Sequence, residues 1–122
     1  MKGRDRKVIV RGDAGRIVCE RCELAGGPVS RARGLLGRSG LAPGEGLLLR
    51  PAFSVHTFFM RFAIDIVFLD RSGEVVAVAE AVRPWRAATR FRARAVLELA
   101  AGEAARLKLG PGERLEPEAV AG

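Results

Sequence analysis

The segment from Phe62 to Leu69 carries apolar side chains on both faces of an extended strand, and it constrains the fold more than any other part of the chain. Successive side chains of a strand point to opposite faces, so a strand that is apolar on both faces must be covered on both sides. Residues 70–73, Asp-Arg-Ser-Gly, are typical of a tight turn, and Glu74 to Val82 then alternates with the period of a strand. The pattern predicts a central strand joined by a hairpin to a second, half-exposed strand.

Short apolar runs separated by glycine and proline turns continue along the rest of the chain. This arrangement is typical of a sheet made of short strands. The predicted segments are an opening hairpin from Lys7 to Val10 and from Gly15 to Leu24, buried strands at residues 46–49 and 95–99, and a final short strand around Arg114 and Leu115.

Helical spacing of apolar residues is found between Pro28 and Gly37, where proline suits the first helical position. Residues 102–109 have room for one or two further helical turns. Many short strands with one real helix predict an α+β fold. We expect a β-rich single domain with a small curled sheet or barrel-like core of short, mostly antiparallel strands and one short helix.

The length of 122 residues is that of one domain, so we expect a single domain over residues 1–122 with its core at about residues 7–116 and short flexible tails. The longest uncharged stretch, from Pro51 to Met60, is too short to cross a bilayer. Only three apolar residues separate the charged N-terminus from Arg11, fewer than a secretory signal needs. These features predict a cytoplasmic protein without a membrane span.

Two cysteines, Cys19 and Cys22, form a Cys-x-x-Cys sequence, which is found in zinc sites and in thiol redox sites. A structural zinc ion needs about four nitrogen or sulfur ligands, and His56 is the only histidine of the chain. The segment also has the pattern of a strand, in which positions 19 and 22 would point to opposite faces. We therefore favour a structural role for both cysteines and predict no metal site and no cofactor.

Asp65 is anomalous because its carboxylate lies in the middle of the apolar central strand. An unpaired buried carboxylate would cost several kcal/mol, so something must satisfy it. We favour an arginine or a set of backbone N–H groups. The alternative is that Asp65 orients His56 in a pocket, where the imidazole could give or take a proton near neutral pH.

The segment from Arg83 to Arg94 contains five arginines, Trp85, Phe91 and no acidic residue, and Pro84 disfavours a helix there. It is predicted to be an irregular basic connection. Arginines interleaved with aromatic rings are typical of surfaces that bind a nucleic-acid backbone and stack on its bases. The commoner alternative is a solvated loop whose arginine stems and rings cover the edge of the sheet. The chain carries a net charge of +7, which would suit an anionic partner.

The residues from Ser54 to Asp70, SVHTFFMRFAIDIVFLD, resemble the signature of the family called domain of unknown function 192. Supporting matches are RGLLGR at 33–38, GLLL at 46–49, RPW at 83–85, AVLELAAG at 95–102 and GPGE at 110–113, so the resemblance spans about residues 17–116. It implies a compact α+β domain dominated by strands, and it implies no activity. At position 59 the resemblance leads us to expect Gly or Trp, and Phe59 would narrow any pocket beside Met60. The motif positions that the resemblance marks are His56, Thr57, Met60, Asp65, Trp85 and Glu98.

Three functions are compatible with these residues, and whether the protein is an enzyme stays open. The leading hypothesis is a binding module whose marked motif residues line a shallow pocket for a small polar ligand or a peptide near His56 and Asp65. A weaker alternative is a small hydrolase or isomerase with His56 as general base. Two short edge strands would allow either a monomer or a weak homodimer. The second hypothesis, ranked above the hydrolase or isomerase, is a nucleic-acid-binding module that uses Arg83, Arg86, Arg90, Arg92 and Arg94, with Arg31, Arg33 and Arg38 of the predicted helix.

Overall fold

A computed structural model of the chain describes residues 6–26 and 38–120, and these residues are built mainly from β-strands. The only α-helix among them is α1 (Glu103–Arg106), a single turn, and a 3-10 helix spans Asp13–Gly15. The β-rich α+β fold with one short helix is therefore confirmed, whereas the helix expected between Pro28 and Gly37 lies outside the described residues. The strands are β1 (Arg6–Arg11), β2 (Ile17–Ala25), β3 (Glu45–Leu49), β4 (Ser54–His56), β5 (Ile64–Leu69), β6 (Val75–Val82), β7 (Ala87–Thr89), β8 (Ala95–Ala100) and β9 (Glu116–Ala119).

Seven of the strands form one mixed sheet in the order β6-β5-β8-β3-β2-β1-β9, and β4 and β7 form a separate two-stranded sheet. The β2–β3 pair is parallel and every other pair in the large sheet is antiparallel. The large sheet curls until its two edges touch at one corner, where Glu74 and Arg114 form an isolated bridge. Leu115 N–H also donates to Gly73 O at 2.8 Å. The sheet is thus strongly curled but is not closed into a barrel.

The central strand and its hairpin are confirmed. Every residue of β5 is buried, and the strand lies between β6 and β8. The turn before β6 is held by Asp70, whose Oδ1 accepts hydrogen bonds from Ser72 N–H at 2.8 Å, Ser72 Oγ at 2.7 Å and Glu74 N–H at 3.0 Å. Gly73 adopts φ of +90°, and a side chain there would collide with the carbonyl of Leu115. This turn therefore requires glycine at position 73.

Two apolar clusters lie on the two faces of the curled sheet. The inner cluster includes Val10, Leu48, Leu97, Leu99 and Leu115. The outer cluster includes Leu47, Ile64, Ile66, Phe68 and Val96. The two-stranded sheet is packed on the outer cluster through Val55 and Ala88, which fixes its position on the domain.

The two cysteines lie on the same face of β2, and the expectation that they point apart was wrong. Cys22 is paired with Val8 and Cys19 with Val10. The cysteines are three positions apart in β2, whereas their partners are only two positions apart in β1, so β2 has one extra residue here. The two residues between the cysteines are both exposed, as in a β-bulge. The bulge turns both thiols inward, where they are fully buried in the inner cluster. A hydrogen bond with Cys19, together with burial, raises the pKa of the Cys22 thiol far above its ordinary value.

Two other boundaries differ from expectation. The segment from Arg83 to Arg94 is not wholly irregular, because it contains β7, which pairs with β4 more than 30 residues earlier in the chain. The final strand begins at Glu116, and Arg114 contributes only the isolated bridge. No helix within residues 6–26 and 38–120 is long and apolar enough to span a membrane.

Candidate functional site: an arginine-rich surface with exposed aromatic rings

The net positive charge of the chain is concentrated in residues 50–62 and 83–94. These two segments contain seven arginines and no acidic residue, whereas the other fourteen cations of the chain are matched by its fourteen acids. The whole charge of +7 therefore resides in the two segments. The seven are Arg50, Arg61, Arg83, Arg86, Arg90, Arg92 and Arg94.

The same two segments are held together by the two-stranded sheet. Ser54 is paired with Thr89, Val55 with Ala88 and His56 with Ala87. At one end of the sheet, Arg90 N–H donates to Phe53 O at 2.9 Å. The pairing thus joins two basic parts of the chain that are far apart in sequence, and we refer to their exposed residues as the basic surface.

Thr57 fastens the other end of this small sheet. Its backbone N–H donates to Arg86 O at 2.8 Å, and its carbonyl accepts from Trp85 N–H at 3.0 Å. Its hydroxyl donates to Arg83 O at 2.6 Å and accepts from Arg86 N–H at 2.9 Å. The side chain is fully buried, and through these hydrogen bonds Thr57 positions its neighbours.

Four rings form a row at the Thr57 end of the two-stranded sheet. We call this the aromatic row, and its members are His56, Phe58, Trp85 and Phe59. His56 and Phe58 are stacked with centroids 4.8 Å apart, and Phe58 and Trp85 are stacked at 5.7 Å. Phe59 is tilted against Trp85 at 4.6 Å. The side chains are unusually exposed for large apolar rings, with 38% of Phe58, 68% of Phe59 and 55% of Trp85 accessible to solvent. A second exposed pair, Phe53 and Phe91, lies with its centroids 5.6 Å apart.

Backbone conformation is what turns two of these rings outward. Phe59 has φ of +67° and Trp85 has φ of +66°, in the left-handed region that side chains other than glycine rarely adopt. The carbonyl of Thr57 accepts from both Trp85 N–H and Met60 N–H, which fixes the two turns against each other. Strained residues of this kind persist where the surrounding structure holds them, and they are enriched at functional surfaces.

The seven arginines of this surface are exposed, and none of them forms an ion pair with an acidic side chain of the described residues. Arg86, Arg90 and Arg94 donate from Nη1 to nearby backbone carbonyls, at distances of 2.8 to 3.3 Å. Within the described residues none of the seven arginines forms an ion pair, although Arg11, Arg16, Arg21, Arg38 and Arg106 do. A guanidinium that binds only a carbonyl keeps its charge and most of its donors for an anion.

Asp65 is satisfied by backbone groups, which is one of the two structural alternatives favoured from the sequence. The residue is fully buried, and its two oxygens accept three hydrogen bonds from the N–H groups of Ala81 at 2.8 Å, Gly102 at 3.0 Å and Ala104 at 2.8 Å. His56 lies in the other sheet, is exposed, and shares no hydrogen bond with Asp65. The structure does not bring the two together as an imidazole and its orienting carboxylate.

His56 has no acidic partner at all within the described residues. Its Nδ1 accepts a hydrogen bond from Phe58 N–H at 3.2 Å, and its ring is stacked on Phe58. No cluster of three or more potential metal ligands occurs in residues 6–26 and 38–120. The geometry therefore offers no observation in favour of a general base at this position.

The two remaining marked positions are buried on the outer side of the large sheet. Met60 belongs to the outer cluster, and its N–H donates to Thr57 O at 3.2 Å. Glu98 lies in β8 directly opposite Ile66 and Leu47, and burial raises the pKa of its carboxyl group to about 8. No hydrogen-bond donor of the described residues reaches that carboxyl group, so Glu98 shares no hydrogen bond with Asp65 or with the aromatic row.

Sequence reasoning missed several members of the surface. Phe58 and Phe59 were not singled out as exposed rings, and Arg50 and Arg61 were not grouped with the later arginines. The absence of acids from residues 50–62 was the available signal for the arginines. Nothing local in the sequence reveals the positive φ values of Phe59 and Trp85, and the Trp85 N–H is held by Thr57 O, 28 positions earlier in the chain.

Comparisons with known proteins agree on the family and on the fold. Residues 8–117 match the family model DUF192, described as uncharacterized ACR. A UPF0127 protein of Pyrococcus abyssi is 34% identical over 101 residues, covering 77% of this chain and 83% of that protein. A UPF0127 protein of Thermococcus sibiricus is 58% identical over 33 residues, which are 27% of this chain and only 21% of that protein.

Two solved structures have the same fold. A protein of Sinorhizobium meliloti 1021, named as a "putative transcription regulator", superposes with a TM-score of 0.80 at 27% identity and covers 96% of both chains. A protein of unknown function from Novosphingobium aromaticivorans superposes with a TM-score of 0.76 at 30% identity, over 92% of this chain and 84% of that one.

Proposed function

Because this chain belongs to the DUF192 family, which is described only as uncharacterized, we propose a function from its own surface: it binds single-stranded nucleic acid. Bases would stack on the aromatic row, and phosphates would be held by the surrounding arginines. One observation carries the proposal, namely that the two segments paired in the small sheet contain both the row of exposed rings and seven arginines without an acidic residue.

The exposed rings favour a single strand over a duplex. Unpaired bases can stack on protein rings, and each such contact is worth about 1–3 kcal/mol. Bases of a duplex are already stacked on one another, and duplex readers commonly insert a helix into the major groove. The part of the chain that the structure describes has one α-helix, the four-residue α1, and one 3-10 turn at Asp13–Gly15, and both are too short for that role.

The arginines supply the second half of such a site. Phosphate contacts by arginine position a nucleic acid without reading its sequence, and guanidinium groups also stack on bases. Arg86 adjoins Trp85 in the chain and binds its carbonyl at 3.3 Å, so a cation and a ring are presented side by side. The name of the Sinorhizobium meliloti relative is compatible with a nucleic-acid partner, although it refers to that protein.

The test is fluorescence anisotropy with labelled single-stranded oligonucleotides of mixed sequence, and with the corresponding duplex, over a series of salt concentrations. We expect tighter binding to the single strand, with an affinity that falls steeply as salt rises because each phosphate contact releases counterions. The Trp85→Ala variant should weaken binding by roughly 5-fold to 100-fold, as the loss of one stacked base predicts. Arg86→Gln should weaken binding and flatten the salt dependence.

Two variants serve as controls. Lys7→Gln removes an exposed cation outside the basic surface, and Ile17→Ala removes an exposed apolar side chain outside it. Neither should change the affinity appreciably. Failure of the protein to bind any oligonucleotide at low salt would overturn the proposal, and so would equal losses in Lys7→Gln and Arg86→Gln.

A further inference from the structure

A cavity of about 360 Å³ opens at one end of the curled sheet, and no residue of the aromatic row lines it. It lies where the ends of β3 and β5 and the start of β8 approach the residues that lead into β9. The bridge between Glu74 and Arg114 joins the two edges of the sheet only locally, and the cavity lies beside this junction. Its volume falls within the range of about 300–1,000 Å³ that is usual for small-molecule sites.

The floor of the cavity is apolar. Leu48, Leu69, Ala95 and Leu115 line it, and all four belong to the inner cluster, with exposures of 1 to 5%. The cavity is thus an opening into the end of the main core. A ligand that reached this floor would exchange water for apolar contact, which favours binding by about 25 cal/mol per Å² of apolar surface buried.

The mouth of the cavity carries three arginines and two acids. Arg50 and Arg71 are exposed, and their side chains make no hydrogen bond or ion pair with the other described residues. Arg94 binds two carbonyls through Nη1 only. Asp70 is occupied within its own turn, where the hydrogen bond from Ser72 lowers the pKa of its carboxyl group. Glu116 is the second acid, so the mouth has an excess of positive charge.

We propose that this cavity is a binding site for a small organic anion, a carboxylate with a short apolar chain. The chain would lie on the leucine floor, and the carboxylate would face Arg50 and Arg71. A planar guanidinium matches a carboxylate in geometry as well as in charge. An amine of the same length would meet the positive mouth, and inorganic phosphate or acetate would leave the apolar floor empty.

This site can be tested separately from the proposed nucleic-acid surface. No residue of the aromatic row lines the cavity, and Arg71 lies outside the two basic segments. Arg50 and Arg94 are shared by both, so they are unsuitable as test positions. The experiment therefore uses Arg71, and its failure would leave the oligonucleotide result unaffected.

The test follows amide chemical shifts in nuclear magnetic resonance spectra during titration with hexanoate, hexylamine, hexanol, acetate and inorganic phosphate. We expect hexanoate to shift the amides of Leu69, Gly73 and Leu115 in a saturable way. Hexanol should bind at least about fivefold more weakly, because it lacks the charge-assisted contact. Hexylamine, acetate and phosphate should not saturate at the same concentrations.

Two variants separate a built site from general charge effects. Arg71→Gln should weaken hexanoate binding about 5-fold to 20-fold, as the loss of one charged hydrogen-bonding group predicts. Lys108→Gln, which removes an exposed cation away from the cavity, should leave it unchanged. Ala95→Leu, which fills the floor, should abolish binding, provided that the spectrum shows a folded protein.

Equal shifts with hexanoate and hexylamine would overturn the proposal, and so would equal weakening by Arg71→Gln and Lys108→Gln. Acetate or phosphate binding as tightly as hexanoate would show an anion site on the surface that does not use the apolar floor. That result would also contradict the proposal. If Ala95→Leu does not fold, the comparison of hexanoate with acetate tests the role of the floor on the unaltered protein.

Discussion

Asp65 and Ala104 are joined by a hydrogen bond of 2.8 Å, in which the buried carboxylate Oδ2 accepts from the backbone N–H at the start of α1. The same oxygen accepts from Gly102 N–H, and Oδ1 accepts from Ala81 N–H in β6. Both Gly102 and Ala81 have positive φ values, of +94° and +49°. The backbone thus folds around the carboxylate, and three N–H dipoles replace the water that it loses on burial.

Asp65→Asn should destabilise the protein by about 2–4 kcal/mol, because an amide cannot accept three hydrogen bonds as a carboxylate does and turns an NH₂ group toward an N–H donor. Urea denaturation followed by circular dichroism measures the free energy of unfolding. Asp13→Asn is the matched control, since Asp13 is exposed and accepts a single long bond of 3.3 Å from Arg114 N–H. Equal stability of Asp65→Asn and the unaltered protein would contradict a structural role for this carboxylate.

The local parts of the fold could be predicted from the sequence. The hairpin of β5 and β6 has its turn residues, its apolar period and its partner strand within 20 residues, and it forms as expected. The pairing of β4 with β7 could not be predicted in this way, because Val55 and Ala88 are 33 positions apart and Pro84 suggested an irregular segment. Strand register over such distances is determined by tertiary packing, which a local period does not contain.

Individual side chains show the same difference between what local sequence predicts and what distant residues determine. The sequence showed that Asp65 needs partners, but its three donors come from residues 81, 102 and 104, in two other elements. The bulge in β2 is a second example, since it places Cys19 and Cys22 on one face where the strand period predicts opposite faces. Composition did locate the basic segment, because charge is a property of the chain before it folds.

Glu98 should make the protein more stable at acidic pH than at alkaline pH. Its carboxyl group has a pKa of about 8 in the folded protein, because burial penalises the charged form, against 4.5 for an ordinary glutamate. Between these two values the unfolded chain is ionised while the folded one keeps the proton. The contribution of Glu98 to the free energy of unfolding should therefore be largest below pH 4.5. Between pH 4.5 and pH 8 the free energy of unfolding should fall by up to about 1.4 kcal/mol per pH unit.

The measurement is urea denaturation at pH values from about 5 to 8. Other carboxyl groups, such as those of Glu103 and Glu113, have pKa values that their partners lower, so they stay ionised throughout this range and add no slope. Glu98→Gln should remove the slope and raise the stability at neutral pH. Glu80→Gln changes an exposed glutamate of the neighbouring hairpin and should leave the slope intact. A slope that survives in Glu98→Gln would assign it to another group.

Thr57→Val should loosen the two-stranded sheet without unfolding the domain. Valine has nearly the same shape, but it leaves Arg83 O and Arg86 N–H without the hydroxyl that binds both. Loss of a partner by buried polar groups costs about 1–3 kcal/mol. Hydrogen exchange should become faster at Trp85 and Arg86 while β5 and β8 stay protected, and oligonucleotide binding should weaken. Thr89→Val, in the same small sheet but bonded to Ser54 Oγ at an exposed position, should change neither quantity much.

Phe59→Gly and Phe59→Ala should separate the strain of the backbone from the role of the ring. Both variants remove the ring that contacts Trp85 at 4.6 Å, so both should weaken oligonucleotide binding by a similar factor. They differ in backbone preference, because alanine pays about 1–2 kcal/mol to hold a positive φ and glycine does not. Phe59→Gly should therefore be about 1 kcal/mol more stable than Phe59→Ala in urea denaturation. Equal stability of the two variants would mean that the φ of +67° is not maintained once the ring is gone. Unchanged oligonucleotide binding in both variants would show that Phe59 is not part of the nucleic-acid surface. The variants of Trp85 and Arg86 would then decide whether the rest of that surface binds nucleic acid.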